Sequence, residues 1–213
     1  MKRFLFLPAL LTLAALLFPV ALYSLLPGEV AFDADVPSDH GPLRMKFHST
    51  THDEGCVGVE QYETSAIPND TEGEVFIPDS IAFKGRNLPV CYVTRGSFHQ
   101  CSRLTEVHLP STLWAISDLA FDGCSALRRI SFPASLGDIY PQAFIGCGAL
   151  RRVEFCSAAP PRSYGNDTFD TGVYETATLV VPMAHAGNYL SNPLTYQFRY
   201  HAERIPLYNE TQP

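Results

Sequence analysis

Residues 121–133 read FDGCSALRRISFP, and similar stretches lie on both sides of them. Residues 98–110 read FHQCSRLTEVHLP and residues 144–156 read FIGCGALRRVEFC, so the pattern occurs three times with a step of 23 residues. The segments between these stretches keep the same step at apolar positions, as in Val93, Ile116 and Ile139. Self-similarity at such a period indicates a repeat protein, in which each unit stacks on its neighbours.

The length of the repeat limits what one unit can contain. Its 23 residues are too few for a strand, a full α-helix and a return, but they fit a strand, a tight turn and a second short strand or helical turn. By the alternation of a strand, Glu106 and His108 are expected to face outwards. The apolar residues of the same unit are expected to face the core: Leu104, Val107 and Leu109. One coil cannot bury its apolar side alone, so stacked coils supply the core and both ends need caps.

The sequence therefore predicts a repeat β-solenoid, a short array with an N-terminal β cap and a C-terminal cap made of a strand and a short helix. Lys2 and Arg3 precede a long run without charged residues, which is the form of a secretory signal peptide or an N-terminal anchor. We assign residues 1–26 to the signal peptide or anchor, residues 27–44 to a linker and residues 45–92 to the N-terminal β cap. The repeats follow at residues 93–156, and residues 157–213 hold an irregular last repeat with the C-terminal cap.

The sequence offers no motif for catalysis, for a cofactor or for nucleic acid. It has no nucleophile elbow, zinc-protease motif or phosphate-binding glycine loop. Its net charge of −7 gives no reason to bind nucleic acid. Contact with a membrane is expected only through the N-terminal segment, if that segment stays uncleaved. One group of residues has the types that commonly bind metal ions: His40, His48, His52, Asp53 and Cys56. Its spacing fits no zinc signature, so we interpret these histidines as incidental surface residues rather than as metal ligands.

The recurring unit A/S-F-x-x-C-S-x-L-x-x-V/I-x-F/L-P closely resembles the BspA-like leucine-rich repeats of bacterial surface proteins. Residues 75–93 look like the hairpin that precedes such arrays, and residues 179–189 look like their C-terminal cap. The resemblance covers about residues 45–207 and implies a leucine-rich repeat array in a secreted, periplasmic or cell-surface protein. It also implies adhesion, because family members are implicated in binding host matrix proteins and other cells.

Three cysteines share one position of the repeat: Cys101, Cys124 and Cys147. Stacked coils place equivalent Cα atoms ~4.8 Å apart, and parallel side chains then stay slightly beyond disulfide geometry. We therefore interpret the three as a buried ladder of thiols rather than as disulfides or a metal site. A bridge between Cys56 and Cys91 is compatible with export, but the sequence alone does not fix the pairing.

The outward positions of the strands predict two columns of side chains. One column holds Glu106, Arg129 and Arg152, and the other holds His108, Ser131 and Glu154, with Arg128 and Arg151 flanking them. Four arginines on two adjacent coils suggest a small site for anions or carboxylates, because the guanidinium group presents a planar fork of donors. The alternative is a solvated face whose positive charges are neutralised by the glutamates of the same columns.

Trp114 occupies a position that Gly137 holds in the next unit. A core position would hardly alternate between the largest and the smallest side chain, so we expect Trp114 to be at least partly exposed. Exposed aromatic residues are frequent in contacts with sugars and proteins. With Tyr140 in the following coil, Trp114 is therefore a candidate for an aromatic contact spot, and packing at the edge of the array is the alternative.

These observations predict an exported, non-enzymatic binding module that presents the strand face of a solenoid to a protein or a glycan. The alternative is a structural or assembly subunit of a cell-envelope complex, in which the array packs on a partner protein. An exposed apolar coil end would favour the alternative, and closed ends with a polar strand face would favour the binding module.

Overall fold

A computed structural model of the protein describes residues 30–49, 55–59, 65–165, 167–198 and 207–208. The predicted signal peptide or anchor, residues 1–26, lies outside these ranges. The strands are β1 (Val30–Val36), β2 (Leu43–Ser49), β3 (Val57–Val59), β4 (Gly73–Phe76), β5 (Ser80–Phe83), β6 (Arg86–Val93), β7 (Leu104–His108), β8 (Ala115–Ile116), β9 (Arg129–Phe132), β10 (Asp138–Ile139), β11 (Arg152–Phe155), β12 (Arg162–Ser163), β13 (Thr178–Pro182) and β14 (Leu207–Tyr208). The helices are α1 (Thr171–Thr176) and α2 (Ala186–Leu190), and a 3-10 turn at Met183–His185 precedes α2.

The strands form two sheets that run along the array. One sheet has the order β1-β2-β3-β6-β8-β10-β12, with β5 paired to β6, and the other has the order β14-β13-β11-β9-β7-β4. Neighbouring repeats pair in parallel in both sheets, and the paired residues, such as Arg129 with Arg152 and Ala115 with Asp138, occupy equivalent positions of the repeat. A repeat fold with parallel sheets and few helices is therefore confirmed. None of the helices in the described ranges is long and apolar enough to span a membrane.

Stacked aromatic rings occupy the core between the two sheets. Phe98, Phe121 and Phe144 are fully buried, and successive ring centroids lie 4.9 and 4.8 Å apart. Phe169 extends the stack at 5.2 Å from Phe144. Leucines at another repeat position are also fully buried: Leu104, Leu127 and Leu150. Equivalent side chains thus meet across each coil boundary, and their burial supplies the main favourable term for folding.

The predicted linker at residues 27–44 is wrong in its described part. Val30–Val36 forms the edge strand β1 and pairs antiparallel with Leu43–Ser49 along its whole length. Val36 is buried, and Phe32 and Ala34 pack against the core from every second position. Three of the residues that suggested a linker, Pro37, Gly41 and Pro42, lie instead in the short connection between the two strands, and the fourth, Pro27, lies outside the described residues.

The array also extends beyond residues 93–156 at both ends. Before the first predicted repeat, β4 pairs in parallel with β7 and β6 with β8. After the last one, β12 pairs with β10 and β13 with β11, also in parallel. Phe169 takes the place that the repeat phenylalanines hold, but its distance along the chain from Phe144 is longer than the regular repeat step. The irregular last repeat predicted within residues 157–213 therefore continues both sheets, whereas the coil before residue 93 was assigned to the N-terminal cap because its length departs from that step.

A turn with positive φ recurs in each repeat at the position before the shared cysteine. Gln100, Gly123 and Gly146 have φ angles of 59°, 74° and 75°. A Cβ atom on Gly146 would lie 2.9 Å from the backbone N and Cα of Gly123 in the preceding coil. Glycine at residue 146 therefore serves both a left-handed backbone and a close approach between two coils.

We expect Gly146→Ala to lower the free energy of unfolding by about 1–3 kcal/mol, the cost of a strained backbone position. The measurement is urea denaturation, with Gly148→Ala as the matched control. No atom lies within 4 Å of the Cβ position at Gly148, and its φ is not in the left-handed region. Equal midpoints for the two variants would contradict the close packing of the turns.

Cys101, Cys124 and Cys147 are free and buried, and they form a ladder along the array. The thiol of Cys124 donates a hydrogen bond to the carbonyl oxygen of Phe98 at 3.1 Å, and the thiol of Cys147 donates to that of Phe121 at 3.2 Å. Each thiol thus connects its coil to the preceding one. Burial raises the pKa of Cys101, and the hydrogen bond with Cys147 together with burial raises the pKa of Cys124, so these two thiols stay protonated.

A disulfide joins Cys56 and Cys91, whose Cα atoms are 5.8 Å apart. It connects the segment just before β3 to β6, its neighbour in the same sheet, and closes a separation of 35 residues. The pairing that the sequence left open is therefore formed. Because Cys56 is in this bridge, it is not available to the group of metal-ligand types noted in the sequence, of which His52 and Asp53 lie outside the described residues.

Candidate binding surfaces

The strand face is the outward side of the sheet that contains β4, β7, β9 and β11. The register aligns Glu74, Glu106, Arg129 and Arg152 in one column, because these residues pair successively across the four strands. The outward residues two positions further along each strand form a second column of two pairs, Phe76 with His108 and Ser131 with Glu154, and no registered pair joins His108 to Ser131. The columns inferred from the repeat are thus present, and each begins one strand earlier than predicted.

The arginines of the columns are paired with glutamates. Arg129 lies 3.7 Å from Glu106 and donates a hydrogen bond to Glu154 at 3.4 Å. Arg152 donates to the same Oε2 atom of Glu154 at 3.3 Å, and Glu154 is only 6% exposed. Paired arginines leave little net positive charge for an anion. The geometry therefore favours the neutralised face over a dedicated anion site.

The two flanking arginines differ in their surroundings. Arg151 donates two hydrogen bonds from Nη1, to the carbonyl oxygens of Gly148 and Leu150, each at 2.9 Å. Arg128, the equivalent residue of the preceding coil, is exposed immediately before β9. Both lie beside the columns and outside the ion-pair network, so they contribute charge at the margin of the strand face.

A shallow depression of about 330 Å³ lies on the strand face between β7 and β9. The ladder between these two strands has one registered pair, Glu106 with Arg129, whereas β9 and β11 share four. The strands therefore diverge beyond this pair and expose a concave surface. It is lined by Glu106, Val107, His108, Leu109, Ser111, Arg129, Ser131 and Pro133.

Two residues that line this depression, Glu106 and His108, also lie close to Glu74, and one possible metal-binding atom from each of the three lies within 4.8 Å of the others. Nε2 of His108 and Oε2 of Glu74 are hydrogen-bonded at 2.8 Å. The imidazole ring also stacks on Phe76, with centroids 4.0 Å apart and an interplanar angle of 1°. These two contacts orient the His108 ring towards Glu74, and the strand register places Glu106 beside Glu74.

The aromatic surface lies on the other sheet and consists of Trp114, Asp138, Tyr140, Arg162 and Tyr164. Its three aromatic residues are 46%, 37% and 53% exposed, in the order of the chain. Tyr140 stacks on Tyr164, with ring centroids 4.8 Å apart. The indole ring packs edge-on against Tyr92, at 5.9 Å between centroids.

Asp138 is a buried carboxylate in the middle of the aromatic surface. It is 1% exposed and accepts two hydrogen bonds from Arg162, at 2.7 Å from Nε and 2.8 Å from Nη2. The hydroxyl of Tyr164 donates to the same carboxylate at 3.3 Å. These hydrogen bonds and the charge of Asp138 raise the pKa of the Arg162 guanidinium group. Sequence reasoning missed Arg162 and Tyr164 because the coil that carries them is out of step with the regular repeat.

Comparisons with known proteins identify the type of repeat in this array. The sequence profile of the BspA type leucine rich repeat region matches residues 81–181 in six copies. A leucine-rich repeat protein from Bacteroides ovatus aligns at 22% identity and a TM-score of 0.45, covering 71% of this chain and 37% of that one. The leucine rich repeat protein of T. pallidum aligns at 22% identity and a TM-score of 0.45, covering 66% of this chain and 70% of that one.

A leucine rich cell surface protein from Faecalibacterium prausnitzii aligns at 16% identity and a TM-score of 0.42, covering 70% of this chain and 45% of that one. The alignments thus span less than half the length of the Bacteroides ovatus and Faecalibacterium prausnitzii proteins. A comparison with curated proteins found no significant match. Residues 81–181 thus contain six copies of the BspA-type leucine-rich repeat, as the recurring unit predicts.

Proposed function

We propose that the protein is an exported, non-enzymatic binding module that recognises a protein or glycan ligand through its strand face. The depression between β7 and β9 carries this proposal, because it is a concave surface that the backbone forms where the two strands diverge. A flat ladder of strands offers a ligand no such place. The shallow shape suits surface recognition rather than the enclosed pockets in which enzymes bind small substrates.

The chemistry of the depression favours a protein as the ligand. Within a short distance it presents a carboxylate from Glu106, an imidazole edge from His108 and a guanidinium group from Arg129. Leu109 and Pro133 add apolar surface beside them. Charges of both signs beside apolar surface match the mixed surface of a folded partner better than they match a uniformly charged polymer.

Export rests on two independent features. The first residues have the charge and hydropathy pattern of a signal peptide or anchor. The Cys56–Cys91 disulfide requires an oxidising compartment for its persistence. A secreted, periplasmic or cell-surface location satisfies both, and it agrees with what the family resemblance implies.

The ends of the array favour a binding module over an assembly subunit. At the N-terminal end the β1–β2 hairpin contributes Val36, Met45 and Phe47, all fully buried. At the C-terminal end, Tyr189 of α2 and Phe198 after it are buried as well. We interpret these segments as caps. Capped ends leave little apolar surface through which one array could stack on another.

Filling the depression tests the proposal. We expect Ser131→Tyr to weaken binding by at least tenfold, because the new ring would occupy the depression without removing any of its ion pairs. The measurement is binding of the complete exported chain to an array of matrix proteins and oligosaccharides. Ser102→Tyr is the matched control, since Ser102 is exposed in a turn outside both surfaces. Equal binding by the two variants would contradict recognition at the depression.

A further inference from the structure

The aromatic surface concentrates exposed apolar groups on a sheet that the proposed strand-face site does not use. Seven large apolar side chains are exposed among the described residues, and three of them lie here: Trp114, Tyr140 and Tyr164. They come from three successive coils: the parallel register places Tyr140 beside Tyr164, just after β10 and β12, and Trp114 beside Gly137, just before β8 and β10. A cluster of exposed rings on one face marks a contact surface.

Trp114 lies with its five-membered ring over Gly137. A Cβ atom on Gly137 would be 3.0 Å from Nε1 of the indole and 3.5 Å from both Cδ1 and Cε2. An approach in the plane of the ring would leave these two flanking atoms markedly farther away than Nε1, so the distances place the flat of the ring, rather than its rim, above the glycine. One face of the indole therefore lies against the backbone and the opposite face is turned to solvent, which agrees with its 46% exposure.

The polar groups beside this ring are electrically balanced. Asp138 and Arg162 form a bidentate pair, so their charges cancel. The side chain of Arg162 is nevertheless 67% exposed, and the pair uses Nε and Nη2 but not Nη1. Within the part of the chain that the structure describes, the indole N–H also has no hydrogen-bond acceptor. The surface thus offers an apolar plane and polar donors without net charge.

We propose that the aromatic surface binds a neutral oligosaccharide, with Trp114 as the stacking residue. The apolar C–H face of a pyranose ring fits an exposed indole face, and its hydroxyl groups can accept hydrogen bonds from the indole N–H and from Arg162. A charged ligand would gain nothing from a neutral ion pair and would lose solvation on contact with the rings. This inference is independent of the strand-face proposal, because the two surfaces share no residue.

The test uses the complete exported chain and an array of neutral and acidic oligosaccharides. We expect binding to neutral oligosaccharides that falls at least tenfold in Trp114→Ala and is partly retained in Trp114→Phe. Tyr196→Ala is the matched control, since Tyr196 is 42% exposed outside the aromatic surface and its loss is expected to leave binding unchanged. Ser131→Tyr is also expected to bind normally, which separates this proposal from that of the strand face.

Trp114 is the single tryptophan of the chain, so the unmodified protein provides a second readout. A neutral oligosaccharide found on the array should change the tryptophan fluorescence and reduce its quenching by acrylamide. Three results would overturn the proposal: unchanged affinity in Trp114→Ala, binding of acidic oligosaccharides or proteins alone, or no binding of any oligosaccharide. Unchanged quenching in the presence of a bound oligosaccharide would overturn it as well.

Discussion

Replacing Phe121 with alanine is expected to lower the free energy of unfolding by about 3–5 kcal/mol, the usual cost of deleting a buried phenylalanine ring. The ring is fully buried and stacks on both neighbours, Phe98 at 4.9 Å and Phe144 at 4.8 Å. The resulting cavity would lie at two coil boundaries, so no single coil could close it. Urea denaturation followed by circular dichroism measures the loss.

The matched control for this variant is Tyr196→Ala, which removes an exposed aromatic ring. We expect it to change the free energy of unfolding by less than about 0.5 kcal/mol, as is usual for surface substitutions. A similar loss in both variants would contradict the stacked phenylalanine core. A urea denaturation midpoint for Phe121→Ala equal to that of the unmodified protein would also contradict the stacked phenylalanine core.

Removing the disulfide with Cys56→Ser and Cys91→Ser should cost about 3–4 kcal/mol of stability, because the bridge restricts the unfolded chain by about this amount. The loop that it closes spans a separation of 35 residues. Urea denaturation with and without reductant measures the effect. The unmodified protein in reductant should match the double variant, because the remaining cysteines are free.

Cys156→Ser is the matched control, since Cys156 is a free and exposed thiol. Its stability should match that of the unmodified protein, both with and without reductant. Thiol titration of the denatured, non-reduced chain should find the four free cysteines. A count of six, or a double variant as stable as the unmodified protein, would contradict the bridge.

Most of the fold that could be predicted from sequence follows from the 23-residue step of the repeat. It sets the parallel register, and the register then aligns Glu106 with Arg129 and Arg129 with Arg152. The buried phenylalanines and the cysteine ladder follow from the same step, because equivalent residues of stacked coils meet. These features depend on local periodicity, which a single sequence displays directly.

Features that break the period could not be predicted in the same way. Val30–Val36 forms a strand because it pairs with β2 and packs Phe32 against the core, and neither contact is periodic. The Asp138–Arg162 pair joins a regular repeat to one with an insertion, so the regular step does not align them. The Cys56–Cys91 bridge depends on the neighbouring positions of β3 and β6, which the sequence does not specify.

The depression on the strand face was also beyond sequence reasoning. Its residues Glu106, His108 and Arg129 were predicted to point outwards, but the divergence of β7 from β9 depends on how the backbone of two coils fits together. The ion pairs of Glu154 illustrate the same limit. The sequence offered both a free arginine patch and a neutralised face, and the distances in the structure favour the second.

The most direct test of the binding-module account is one experiment on the complete exported chain. Its binding to matrix proteins and oligosaccharides is measured on a single array, and its oligomeric state is measured by sedimentation at the same concentrations. The account predicts a monomer that binds at least one ligand, with binding lost in Ser131→Tyr for a protein ligand and in Trp114→Ala for a neutral oligosaccharide. A chain that binds no ligand and associates with itself would contradict the account and identify an assembly subunit instead.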